Sequence, residues 1–495
     1  MTSPTARNPD ARKRWLALMV LCLGVLMIVL DTTVVNVALP SIRADLQFSE
    51  TSLVWVINAY MLTFGGFLLL GGRLGDLFGH RRLFLLGIAL FTLASLACGL
   101  AHSQGWLIAA RAVQGLGGAV VDAVSLSLIV HLFSEPADRA KAMGVYGFVC
   151  AGGGSIGVLA GGLITDAFDW HWIFLVNLPI GAAVCALTLG LLDKDRSRAH
   201  AQRLDVAGAV TITASLMLAV YAIVDGNQAG WTSVQTLGLL GAALAGLALF
   251  VAIEARVPQP LMPLRLFRLR NVATANVVGM LWAAAMFAWF FIAALYLQLV
   301  LGYSPLQVGL AFLPANLLMA ACSLGLSARL VMRFGLRWPF VAGLVMAALG
   351  LALFARAPVN GSLWLDVLPG MALLGLGSGI AFNPVLLAAM SDVAPSDSGL
   401  ASGVVNTSFM MGGALGLAVL ASLAAARTDG LAAAGMAPVA SLNAGYQAAF
   451  WVGALFALAA CAIGACFLRA SAAAPHDAPA PAAATVSVPA RGLER

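Results

Sequence analysis

About fourteen stretches of roughly twenty apolar residues follow one another along the 495-residue chain, and that succession constrains the fold more than any motif. A bilayer's hydrocarbon core is about 30 Å thick and takes about 20 residues of helix to cross. In that solvent every backbone N–H and C=O must be satisfied within the segment, so each stretch is expected to be a helix. The spans are read near 15–38, 53–71, 83–101, 106–130, 143–164, 171–191, 205–224, 233–253, 273–299, 305–330, 338–356, 365–388, 399–424 and 447–468. Composition agrees, with 61% apolar and only 10% charged residues, against about 25% charged in soluble domains. A water-soluble domain, a nucleic-acid binder and a disordered body are therefore excluded. The seven cysteines all fall in apolar stretches with no metal-ligand spacing, and are read as small packing residues.

The basic residues test the span count independently, because Lys and Arg collect on the cytoplasmic loops of a membrane protein. About 23 of the 27 fall on one side: around Arg12 before the first span, then Arg73, Arg81 and Arg82, Arg139 and Lys141, Lys194 to Arg203, Arg256 to Arg270, Arg329 to Arg337, and Arg469 onward. Both termini are thus expected in the cytoplasm. The first apolar run is too long for a cleaved signal and is read as a retained helix. The Ala- and Pro-rich tail at 469–495 is expected to be disordered.

Two loops on that basic side repeat each other. Gly72-Arg73-Leu74-Gly75-Asp76-Leu77-Phe78-Gly79-His80-Arg81 aligns with Ala328-Arg329-Leu330-Val331-Met332-Arg333-Phe334-Gly335-Leu336-Arg337, matching at five of ten positions. Gly115-Leu116-Gly117 and Gly375-Leu376-Gly377 echo each other at nearly the same offset. The organisation expected is an N-terminal segment 1–14, a six-helix bundle over 15–192, a linker with two extra helices over 193–270, a second six-helix bundle over 271–468 and the tail. Parallel six-helix halves with a midplane site between them are a transporter architecture.

The motifs then carry a resemblance. Leu30-Asp31-Thr32-Thr33-Val34-Val35-Asn36-Val37-Ala38-Leu39-Pro40, the loop from Gly72 to Arg82, Arg111-Ala112-Val113-Gln114-Gly115, the junction from Trp170 to Pro179 and that from Gln298 to Pro305 resemble, in order, those of the major facilitator superfamily. More narrowly they resemble its fourteen-span drug:proton antiporters. The resemblance implies an all-α polytopic fold of two six-helix bundles plus two inserted helices. It also implies proton-coupled efflux of hydrophobic or cationic small molecules from the inner membrane by alternating access. Export of one specific metabolite or self-made antibiotic is the alternative. Two departures stand out: Val158 replaces the family's proline in the fifth-span motif ending Gly157-Val158-Leu159-Ala160-Gly161-Gly162, and Asp122 stands in the fourth span where an apolar residue is usual.

An ionised group in hydrocarbon costs roughly 3 kcal/mol or more, which makes Asp31, Arg111 and Asp122 the candidates for proton coupling. Asp31 could instead brace helices through Thr32 or Asn36, Arg111 could snorkel outward, and Asp122 could be satisfied by Ser125 or a neighbouring helix. Arg stays protonated, so Arg111 would act through its fixed charge. Arg111, Gly115, Gly118 and Asp122 share one helix face. Asn58, Tyr60, Asp122, Gln298, Asn316, Asn383 and Asn406 are the candidate substrate-cavity residues, since a buried amide in a span needs a partner or a wet cavity. The resemblance gives Gly72, Asp76, Gly79, Arg81 and Arg82 a conformational role. Gly157, Gly161 and Gly162 are read as helix-packing positions. No phosphate loop or metal motif occurs, and neither an enzyme nor ATP-driven transport is expected, and no cofactor. The expected partners are a small-molecule substrate, protons and lipid, with the chain acting as a monomer or with a periplasmic adaptor.

Overall fold

The computed structural model describes residues 9–133, 135–192, 205–258, 260–390, 393 and 398–468. The tail expected to be disordered and the basic stretch 194–203 lie outside these residues. Every regular element is helical: α1 (Pro9–Leu46), α2 (Trp55–Phe78), α3 (His80–Gly99), α4 (Gln104–Leu132), α5 (Pro136–Ala167), α6 (Asn177–Leu191), α7 (Val206–Ala229), α8 (Val234–Glu254), α9 (Arg270–Leu295), α10 (Pro305–Ala321), α11 (Arg337–Phe354), α12 (Leu368–Met390), α13 (Ser398–Ala433) and α14 (Pro438–Phe467). Among the described residues, thirteen helices are long and apolar enough to cross a membrane. The remaining one, α10, has 17 residues and continues through a π-helical turn, Cys322–Leu326, into Ser327–Phe334.

Local chemistry sets several ends. Ser103 and Ser233 accept hydrogen bonds from the Trp106 and Thr236 backbone amides at the starts of α4 and α8. Ser304 and Gln307 form a reciprocal capping box at α10, satisfying donors that a helix start leaves orphaned. The repeated loops share a physical cause: Gly79 and Gly335 adopt φ of 94° and 72°, a backbone region that side chains disfavour. Each reverses the chain between two spans, so the Gly recurs with the turn.

Packing repeats as well. Helix α1 lies against α5 and α6, α2 against α4, and α3 against α4 and α6; the same pairs recur eight helices later as α9 with α13 and α14, α10 with α12, and α11 with α12 and α14. Helices α7 and α8 pair with each other, and α7 lies against α2 and α13. Across the middle, α5 packs on α10 and α2 on α13. That seam is made of small residues. A Cβ on Gly162 would lie 2.6 Å from the Pro305 carbonyl oxygen, and one on Gly309 2.9 Å from the Val158 carbonyl oxygen. Helix α5 runs unbroken through Val158, and the kink a proline imposes there is missing.

Candidate functional site

Two polar sites lie at different depths along α4. The deeper-buried one joins five helices. Arg111 of α4 donates from Nη1 to Asp31 Oδ2 of α1 at 2.5 Å and to Gln114 Oε1 at 2.7 Å, and from Nε to the Val56 carbonyl of α2 at 2.9 Å. Asp31 Oδ1 accepts from Gln114 Nε2 at 2.7 Å and from Asn177 Nδ2 of α6 at 3.1 Å. Both amides also donate to Ser95 Oγ of α3. The Arg111 guanidinium sits 4.5 Å over the Tyr60 ring and 5.6 Å from that of Phe174. Asp31 and Arg111 are 2% and 1% exposed. Sealing two charges away from water is tolerable only when each is paired and its remaining hydrogen-bonding capacity is used, and the amides do this.

Two of the plainer readings give way here, and for Asp122 the partner comes from a neighbouring helix, Tyr146 of α5, in place of Ser125. Thr32 and Asn36 bond backbone carbonyls of their own helix, not Asp31. Arg111 turns inward, and Ser125 bonds the Val121 carbonyl, not Asp122. Gln114 and Asn177 join this buried network and were passed over by charge-based reasoning, although both stand inside the quoted motifs. Nothing in the sequence marks Ser95.

The second site opens on a cavity of about 1350 Å³. Asp122, a little over two helical turns beyond Gln114, is half-buried and accepts from the Tyr146 hydroxyl of α5 at 3.2 Å. Asp122, Ser127, Tyr146 and Asn406 share the wall with Leu68, Met143 and Leu400, and Arg73, Glu254, Arg265 and Arg268 stand on the same cavity. Carboxylate, phenol and amide among apolar side chains suit an amphipathic guest. Between the sites the α4 face meets α2: a Cβ on Gly118 would lie 2.8 Å from the Tyr60 hydroxyl. That hydroxyl is buried with no hydrogen-bond partner among the described residues, and it stands between the Arg111 and Asp122 levels.

Of the candidate cavity residues, Asp122 and Asn406 line this space and the other five do not. Asn58 donates to the Ala414 carbonyl of α13 at 2.9 Å, and Gln298 to the Val37 carbonyl of α1 at 2.9 Å. Both bonds cross between the halves. Asn383 bonds the Ser323 carbonyl, Asn316 is buried, and Tyr60 lies under Arg111. In the repeated loop Gly72 lines the cavity, Gly79 makes the turn, Arg81 is buried and donates to the Leu189 carbonyl of α6 at 3.0 Å, and Arg82 is exposed. The Asp76 side chain lies outside what is described. Gly157 and Gly161 face α1, where a Cβ would collide with Thr33 Oγ1 and with the Val34 backbone respectively, whereas Gly162 faces α10.

Comparison with known proteins agrees with this architecture. The Major Facilitator Superfamily profile matches residues 21–417 and 326–492. The puromycin resistance protein of Streptomyces alboniger is 41% identical over 444 residues, 89% of this chain and 88% of its own. The cephamycin export protein of Amycolatopsis lactamdurans is 38% identical over 86% of this chain and 88% of its own. The multidrug resistance protein Stp of Mycobacterium tuberculosis is 39% identical over 84% and 76%. A bacterial homologue of the human lysosomal transporter Spinster, solved inward-facing and unoccupied, superposes with a TM-score of 0.62 at 17% identity, covering 92% of this chain and 97% of that one; at that identity the likeness is one of fold. With this helix order and these relatives, the chain belongs to the Major Facilitator Superfamily, among its drug- and antibiotic-resistance transporters, as a bacterial multi-pass inner-membrane carrier of small molecules and not an enzyme.

Proposed function

We propose that the protein exports one antibiotic-like small molecule, or a narrow set of them, in exchange for protons, and that the conformation described is its inward-open state. The observation that carries this reading is the 1350 Å³ cavity, bordered by Arg73, Arg265 and Arg268 and holding Asp122 on its wall. Basic residues mark the cytoplasmic side, so the cavity faces the cytoplasm, with both termini on that side and bundles at 15–192 and 271–468 rocking about the site. The Asn58 and Gln298 bonds and the Gly162 and Gly309 contacts close the opposite side. Asp122 has one phenolic donor and access to water. A proton or a cationic group of the substrate can therefore occupy it in turn, which is the simplest physical route to exchange. Asp31 and Arg111 are cut off from the cavity in this state, and in this reading they respond when the halves rock and the Tyr60 contact changes. Gly72, Asp76, Gly79, Arg81 and Arg82 form the hinge of that movement.

Relatives named for single compounds, puromycin and cephamycin, favour a narrow substrate. The match to a multidrug resistance protein supports broad specificity as a second reading. Both are tested in inside-out vesicles with an imposed pH gradient, challenged with cationic, neutral and anionic amphiphiles that include aminonucleoside and β-lactam compounds. Narrow exchange gives gradient dissipation with one chemical class only, lost in Asp122→Asn when that class is cationic. Dissipation by most of the panel establishes the broad reading, and a response unchanged by Asp122→Asn removes Asp122 from the exchange.

A further inference from the structure

The inserted hairpin holds two acids that neither the Asp31 network nor the substrate reading uses. Asp205 caps α7, its Oδ1 accepting from the Gly208 amide at 2.8 Å. Glu254 ends α8, and its Oε2 accepts from the Met262 amide at 3.0 Å. Each residue is 3% exposed. Their other oxygens, Asp205 Oδ2 and Glu254 Oε1, are buried without a hydrogen-bond donor among the described residues. These two oxygens converge: a Cβ on Gly208 would lie 2.6 Å from the first and 2.8 Å from the second, so only glycine leaves room for both. An ionised carboxylate is acceptor-only, and two carboxylates sharing a site cannot both ionise without strong repulsion. Among the described residues, the donor that satisfies both oxygens is a proton on one of them.

We propose that Asp205 and Glu254 share a single proton and form a second proton-binding site, which fastens residues 260–263 to the wall of the substrate cavity. The surroundings fit a pair carrying one negative charge. On α2, Arg73 donates to the Pro260 carbonyl at 2.5 Å. Arg265 and Arg268 stand on the same cavity, and Asp122 is the other acid there. The segment is thus held twice, at Met262 by Glu254 and at Pro260 by Arg73. When the O–H bond breaks, the proton passes to cavity water and the pair goes from one negative charge to two. The carboxylates then separate, and Glu254 releases the Met262 amide. This inference does not depend on which molecule is exported or on the role of Asp122.

The test is infrared difference spectroscopy of the purified full-length protein across a pH titration, reading the carbonyl stretch of protonated carboxyl groups. Wild type is compared with Asp205→Asn, Glu254→Gln and the double variant. The expected result is loss of the same single carbonyl band in all three. No band lost in either single variant overturns the proposal, because no proton is then held there. Two bands lost in the double variant also overturn it, because the acids then hold separate protons. Should the variants fail to fold, wild type alone decides through hydrogen exchange at the Met262 amide. That exchange is expected to rise severalfold beyond its intrinsic pH dependence in step with loss of the band; exchange that follows the intrinsic rate throughout refutes the fastening.

Discussion

The Asp31–Arg111 pair supports a quantitative test of how this bundle tolerates charge in its core. Arg111→Gln removes donors to Asp31, Gln114 and the Val56 carbonyl and leaves a buried carboxylate with only its two amide donors, Gln114 and Asn177. Breaking a buried pair from one side costs about 3 to 5 kcal/mol. Asp31→Asn leaves Arg111 its Gln114 and Val56 acceptors and the Tyr60 face, which puts it at the lower end, about 3 kcal/mol. The double variant carries neither charge. Its cost is that of two or three weakened neutral hydrogen bonds at about 1 kcal/mol each, or about 2 to 3 kcal/mol. The double variant is therefore expected to be no less stable than either single one, and to fall short of additivity by about 3 kcal/mol or more, at or above the top of the usual range for contacting residues. Equilibrium unfolding in mixed micelles, followed by tryptophan fluorescence for all four proteins, gives the coupling directly. Costs that add within about 0.5 kcal/mol would refute the reasoning, because the two groups would then be solvated independently and the sealed network would not exist in the folded protein.

Gly162→Ala places a methyl group against the Pro305 carbonyl, so spin labels across the α5–α10 seam are expected to report a shift away from the state described; an unchanged distance distribution counts against the seam. Gly79 holds φ at 94°, and Gly79→Ala is expected to lower stability by roughly 1 to 3 kcal/mol, read as a lower thermal midpoint. Glu50, in the loop between α1 and α2, has its carboxyl pushed above the usual value chiefly by burial, with Arg43 opposing the rise and Asp429 adding to it. The contribution of a group raised in this way is fully present below its unfolded value, about 4.3, and is lost as pH rises through the folded value. Glu50→Gln is therefore expected to flatten the fall in thermal midpoint with rising pH above that point, and parallel curves for variant and wild type would contradict the shift.

What could be read in advance follows from the range over which each property is set. Hydropathy belongs to a segment, so the helix count was legible, whereas the ends were less so: α1, α2, α13 and α14 run several residues past the apolar stretches that announce them. The recurring Gly79 and Gly335 turns were legible because one backbone conformation demands glycine. Pairing is not a property of a segment. Asn58, Gln298 and Asn383 carry the same sequence signal as Asn406, yet the first three spend their amides on carbonyls of other helices and only the last meets the cavity. Asp205 and Glu254 gave no signal at all, because acids at span ends are unremarkable until two orphaned oxygens are seen to converge. Asp31 and Asp122 show the same limit in its most consequential form. Both are lone acids in apolar helices, and the difference that matters lies in their neighbours: Asp31 takes three side-chain donors from two other helices in a sealed core, whereas Asp122 takes one phenol and lines the cavity. Two acids in such unequal environments, linked through one helix and the Tyr60 side chain, can exchange roles only if rocking changes the environment of each. The physical demand of proton exchange therefore falls on the α2–α4 contact at Gly115 and Gly118, where any added side chain would meet Tyr60.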